Sequence, residues 1–197
     1  MATAWRTSRR WKTIGTDASE ETDAHMDQSL YPGLKNAASF LEVVDGRNAP
    51  LCIVAEKDVL RQRLRHRATA LLIRDSAGRA LLSLRKGQGW GFSSFAMVRA
   101  GQSFEECARG MLQEDWGEQG GRLLPLGLCP PCQESRQAFV ALFEARLPAA
   151  LAAQKALDPD RSMLLDYDEL KGLGAHFGDL LSPFMRVAVQ GGYVRPR

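Results

Sequence analysis

The chain has 197 residues, 45% of them hydrophobic and 25% charged, with a formal net charge of +3. That length suits one compact domain with a substantial core, and the small charge argues against nucleic acid as a partner, which calls for a basic stripe with interleaved aromatics. No window approaches the roughly 18 apolar residues of a membrane span, and no apolar secretory h-region stands near the start.

Residues 1–16 are basic and free of acids, and the acidic "DASEETDAHMD" follows. This composition predicts a disordered or extended leader over 1–35, with an organelle presequence as the competing reading and Met1 or Met26 as the start. A single domain is expected over 36–197. The four cysteines are Cys52, Cys107, Cys129 and Cys132. With no export signal they read as reduced thiols of a cytoplasmic protein.

Along the chain, turn residues at 26–50 surround the apolar run "FLEVVD", and "LCIVAEKDVL" predicts a strand entering a turn. The basic run "RQRLRHR" at 61–67 is expected to be a solvated helix end or loop. Two β-rich runs at 68–74 and 79–85 flank "DSAG", which predicts a hairpin. A Gly-rich loop with a short strand, "FAMV", leads into "AGQSFEECARGMLQEDWGE" at 100–118. Then come "RLLPLGLC" and the alternating strand "RQAFVALFEARL", joined by "PPCQES". Helices are predicted at 147–157, in "DYDELKGLG" and in "LLSPFMRVAVQ".

The stretch at 100–118 carries the most chemistry. Ser103 followed by Glu106 makes a capping box, and Gly117 is placed as a left-handed stop, so a helix is predicted from Phe104 to Trp116. At 100° per residue, Phe104, Cys107, Ala108, Met111 and Leu112 form one apolar stripe. Asp115 falls within that stripe and Glu114 at its edge. A carboxylate there is costly unless something pairs with it or binds it. The alternative is a last-turn residue that reaches water.

Hairpin, Gly-rich loop and capped helix in this order resemble the Nudix hydrolase superfamily, whose box is G-x5-E-x7-R-E-U-x-E-E-x-G-U. Aligned without gaps, the leading Gly falls on Ala96 and the first Glu on Gln102. The Arg-Glu pair falls on Gly110 and Met111, the paired Glu on Glu114 and Asp115, and the Gly on Gly117. The run Leu64, Arg65, His66, Arg67, Ala68 is similar to the "LHRA" of the isopentenyl-diphosphate isomerase-like branch. The resemblance implies an α+β fold, a Nudix-like α/β/α sandwich with a mixed β-sheet flanked by helices.

It further implies metal-dependent cleavage of a diphosphate linked to an organic moiety, by a pyrophosphohydrolase using Mg2+ or Mn2+. Glu114 and Asp115 would be catalytic and hold the metal, with His66 as a further ligand. Arg85, Lys86 and Arg67 would bind the phosphates. The degenerate box leaves weak activity open, or a silent binding module for a nucleotide, diphosphate or protein partner. Glu118, Asp166, Asp168 and Glu169 stand by as replacement acids, each also readable as surface charge. Isomerase activity is not expected, because the loop after the hairpin lacks the Cys and His it needs. His66 also reads as a packed histidine, and Arg85 and Lys86 as strand-end cations. "CPPC" at 129–132 reads as a tight turn with two incidental thiols rather than a zinc or redox element. The expected partner is a small diphosphate, with no nucleic acid and no membrane, and a homodimer stays open.

Overall fold

The computed structural model describes residues 39–148, 154 and 161–195. The predicted leader over 1–35 lies outside them. So does the predicted helix over 147–157, apart from Leu147, Pro148 and Gln154.

β1 (Phe40–Val44) and β2 (Pro50–Ala55) pair as a small antiparallel sheet. The Asp45 carboxylate holds their turn by accepting from the Arg47 and Ala49 backbone N–H groups at 2.7 and 2.9 Å. α1 (Glu56–Gln62) follows and stops on Arg63 in the left-handed conformation. The sequence reading ended "LCIVAEKDVL" in a turn. The helix lacks a side-chain N-cap, so no local start signal marks it. Leu41, Val43 and Val59 form a separate small core beneath this hairpin.

The main sheet is built from β3 (His66–Arg74), β4 (Ala80–Arg85), β5 (Gly89–Gly91), β6 (Ser94–Met97), β7 (Leu123–Cys129), β8 (Ala138–Arg146) and β9 (Ser162–Leu165). Its order is β5-β4-β3-β8-β7, with β6 also against β3 and β9 against β4. The predicted hairpin is present, and its turn is tied by Asp75, which accepts from the Arg79 backbone N–H and from its guanidinium. β3 and β4 pair only at Ile73↔Leu81 and Arg74↔Ala80. Beyond that point β6 takes over the edge of β3, from Leu71↔Ser94 to Ala68↔Met97. On its other side β3 runs parallel to β8, from His66↔Ala138 to Arg74↔Arg146. The sheet is therefore mixed.

β3 is nearly continuous in apolar residues because helices cover both its faces. Ala68, Ala70 and Leu72 point to a core closed by α3 (Tyr167–His176) and α4 (Pro183–Gln190), through Leu170, Phe184, Met185 and Ala188. Leu71 and Ile73 point the other way, to a core closed by α2 (Phe104–Trp116). The expected α/β/α sandwich with a mixed sheet is the fold found. At its rim the buried Arg74 donates to Glu144 at 2.7 Å and to the Gly78 and Arg195 carbonyls, so the guanidinium enters the interior already paired. Among the described residues no helix is long and apolar enough to cross a membrane.

Candidate functional site

A cleft of about 510 Å³ opens along β6, on the face that carries α3 and α4. Phe92, Phe95, Phe184 and Met97 give it an apolar wall. Phe184 meets Phe92 tilted at 5.8 Å between centroids and Phe95 edge-on at 6.0 Å. Arg85, Arg99 and Arg136 bring positive charge to the wall, and Glu56 and Glu134 negative charge.

One end of the cleft is set by the turn between β4 and β5. Trp90 N–H donates to the Leu180 carbonyl and Ser182 N–H to the Trp90 carbonyl, which docks the start of α4 against β5. Gly89 makes this close approach feasible. It has φ +86°, and a Cβ there would stand 2.5 Å from the Leu180 oxygen. Arg85, Gln88, Ser182 and Pro183 thereby reach one rim.

α2 packs on the other face of the sheet and supplies no residue to the cleft wall. The helix has the predicted bounds, the predicted Ser103–Glu106 capping box and Gly117 in the left-handed conformation at φ 70°. The buried positions are Cys107, Ala108, Met111, Leu112 and Trp116. Phe104 is half-buried and packs against the same core, as the stripe predicts, whereas Asp115 is exposed, which corrects its place within the stripe. Trp116, four residues after Leu112, takes the core side of the last turn, and Asp115 beside it is exposed. Trp116 Nε1 donates to the Ser94 hydroxyl at 2.9 Å, and that hydroxyl donates to an Asp115 carboxylate oxygen. The chain from indole to serine to carboxylate fixes the position of Asp115. Burial lowers the pKa of Arg85, and the negative charge of Asp115 opposes that shift. Arg85, on the cleft wall, therefore feels the charge of Asp115.

Mg2+ characteristically keeps several waters and takes one or two protein carboxylates together with substrate phosphates. The successive, exposed Glu114 and Asp115 fit that mode. A third ligand from the helix does not fit, because Met111 at that position packs into the α2 core with 7% exposure. Among the described residues no three His, Cys, Asp or Glu side chains gather as a metal-holding group, so His66 does not join Glu114 and Asp115. Asp166 and Glu169 are occupied as the reciprocal capping box of α3.

Arg67 is not on the cleft wall. Its guanidinium donates to Glu42 at 2.6 Å and to the side chain and carbonyl of Asn48, and it lies 5.9 Å over the Phe104 ring. It tethers the β1–β2 hairpin and has no free fork for a phosphate. Lys86 is exposed and does not line the cleft either. His66 does line it, buried at 2% exposure, with Nδ1 2.9 Å from the Leu64 carbonyl. In the "CPPC" segment all thiols are free, Cys129 is buried and Cys132 half-buried. Burial pushes the Cys129 thiol pKa up, and a hydrogen bond with Tyr193 opposes the shift. Of the residues not singled out from sequence, Glu56, Phe95, Arg99, Arg136 and Phe184 all reach the cleft. They come from four separate segments, and no local pattern links them.

Solved structures share this fold. The DR0079 protein of Deinococcus radiodurans matches with a TM-score of 0.61 at 20% identity, covering 79% of this chain and 99% of that one. A MutT/Nudix family protein of Listeria innocua matches at 0.51 and 18% identity, covering 66% and 90%. A solution structure of DR0079, described as a hypothetical Nudix protein, matches at 0.40 and 20% identity over 55% and 68%. No family model and no curated protein matches the sequence. The likeness is one of fold: the chain has the Nudix fold.

Proposed function

We propose that this chain is a metal-dependent hydrolase of a diphosphate joined to an organic group. The observation that carries the reading is Asp115, exposed in the last turn of the Nudix-fold helix and accepting a hydrogen bond from Ser94, with its charge felt by Arg85 on the cleft wall. Arg85 would take the diphosphate, because a guanidinium forms paired hydrogen bonds to phosphate oxygens. Glu114 and Asp115 would hold Mg2+ or Mn2+. Such an ion neutralises phosphate charge and activates water. Ser94 keeps Asp115 from swinging away as the charge around it changes. The apolar wall of Phe95, Phe184 and Met97 would cover the organic group and exclude water from it.

The test is release of phosphate or monophosphate from a panel of nucleoside and sugar diphosphates with magnesium or manganese. Asp115→Asn should lower turnover by about a hundredfold or more, the scale seen when a group stabilising transition-state charge is lost. An equally active variant would place the chemistry elsewhere. One observation favours a second reading, a diphosphate-binding module without turnover: Met111 occupies the core where a third carboxylate would be needed. Binding by calorimetry with no turnover of any substrate would decide for it.

A further inference from the structure

We propose that His66 is a hydrogen-bond acceptor at the inner end of the cleft, reading an O–H or N–H group on the organic part of the substrate. The choice of a diphosphate ligand rests on the hydrolase reading above; the acceptor itself does not.

His66 opens β3, and its even position puts the ring on the same face as Ala68, Ala70 and Leu72, the face of the cleft. Nδ1 sits 2.9 Å from the Leu64 carbonyl. A carbonyl can only accept, so Nδ1 carries the proton and Nε2 of the neutral ring is a bare lone pair. Nε2 has no hydrogen-bond partner among the described residues, yet it is not sealed in the core. It therefore opens on the cleft that the ring lines. Burial favours the neutral ring over the opposing influence of Glu56, whose side chain shares this end of the cleft. An acceptor that opens on a cleft beside an apolar wall is placed to take a hydrogen bond from a ligand lying there.

The chemistry of the atom selects its ligand. Phosphate oxygens are acceptors and carry negative charge, so they repel both a bare Nε2 and Glu56. The strand register separates the two ends. Phe95 lies beside Ala70 and Met97 beside Ala68, two residues from His66, whereas Arg85 ends β4 at the rim that docks α4. The four residues of β6 span about 10 Å. A ligand lying along them has its diphosphate near Arg85, a flat or apolar middle against Phe95 and Phe184, and a donor at His66. This role differs from the metal ligation implied by the family resemblance, for which no group of ligands gathers around the ring.

The test uses three bisphosphonates whose P–C–P bridge resists hydrolysis: the phenethyl ester and its para-hydroxy and para-methoxy analogues. Calorimetry with the full chain and magnesium should give about tenfold tighter binding for the hydroxy compound than for either of the others. His66→Phe should abolish that preference, and His66→Gln, which offers a carbonyl, should restore part of it. Imidazole-nitrogen NMR at neutral pH should show His66 Nε2 unprotonated and shifted by the hydroxy compound alone. Equal binding of hydroxy and methoxy compounds, or a protonated Nε2 in the free protein, overturns the proposal and leaves the hydrolase reading standing. If no bisphosphonate binds, the phenethyl group is the wrong organic part, and the hydrolase reading is decided by the turnover panel alone. Free para-hydroxyphenethyl alcohol then decides: a shifted Nε2 resonance upholds the His66 acceptor, and an unmoved one overturns it.

Discussion

Burial draws the His66 pKa below its usual 6.5, and this couples the ring to the stability of the whole fold. The unfolded chain takes up a proton near that pH, whereas the folded chain does not. The contribution of the neutral ring is whole above pH 6.5 and is lost as pH falls toward the lower folded value. Inside that window the loss runs at about 1.4 kcal/mol per pH unit. Urea unfolding at about pH 7.5 and about pH 5 should show the wild type losing more stability than His66→Gln, which cannot titrate. An equal loss in both would mean that folding does not lower the pKa of the ring. Asp115 poses the opposite case at this scale. Its side chain is exposed, so its placement depends on the Ser94 and Trp116 contacts rather than on burial.

At the scale of the element, α2 separates what the sequence makes legible from what it hides. Its start, stop and most of its buried face were readable because the capping box, the left-handed glycine and the 3.6-residue period are all local signals. The last turn was misread at Asp115, since Met111 and Leu112 leave two candidates for the core side and only tertiary packing chooses Trp116. α1, β5 and β9 went unseen for a related reason. They are short and lack strong start signals, and the two strands exist through partners distant in sequence, such as β4 for β9. The same helix predicts opposite responses to substitution at two successive positions. A Cβ at Gly110 meets nothing within 4 Å and the backbone there is ordinary helix, so Gly110→Arg should raise stability by about 0.5–1 kcal/mol. Met111→Glu places a carboxylate in the α2 core and should cost about 1–3 kcal/mol. Thermal melts of the two single variants should therefore move in opposite directions. A Met111→Glu variant as stable as wild type would mean that the position reaches water and that the third carboxylate can be supplied.

For the whole molecule, one strand does the work of joining two cores. Leu71 and Leu72 are adjacent in β3, fully buried, and belong to opposite faces of the sheet. The cleft depends on the same joint, because β6 hangs on β3, His66 begins it, and α2 and α4 press from opposite sides. This convergence explains why the fold was readable from its periodicities while most of the cleft wall was not: Glu56, Phe95, Arg136 and Phe184 become neighbours only after the sheet has formed. If the two cores are linked through β3, neither can loosen alone. Leu71→Ala and Leu72→Ala should each cost about 2–5 kcal/mol, the range for emptying a buried leucine site. Each should also shift one cooperative transition rather than split it. Trp116 packs in the α2 core and Trp90 against the other, so each face carries its own reporter. Fluorescence melts of either leucine variant, with Trp5 and Trp11 changed to Phe and Trp90→Phe or Trp116→Phe to silence one face, should give coincident midpoints once the effect of the tryptophan changes alone is subtracted. Separate midpoints would show that the faces melt independently, and that the cleft floor can be lost while the helix bearing Asp115 stays in place.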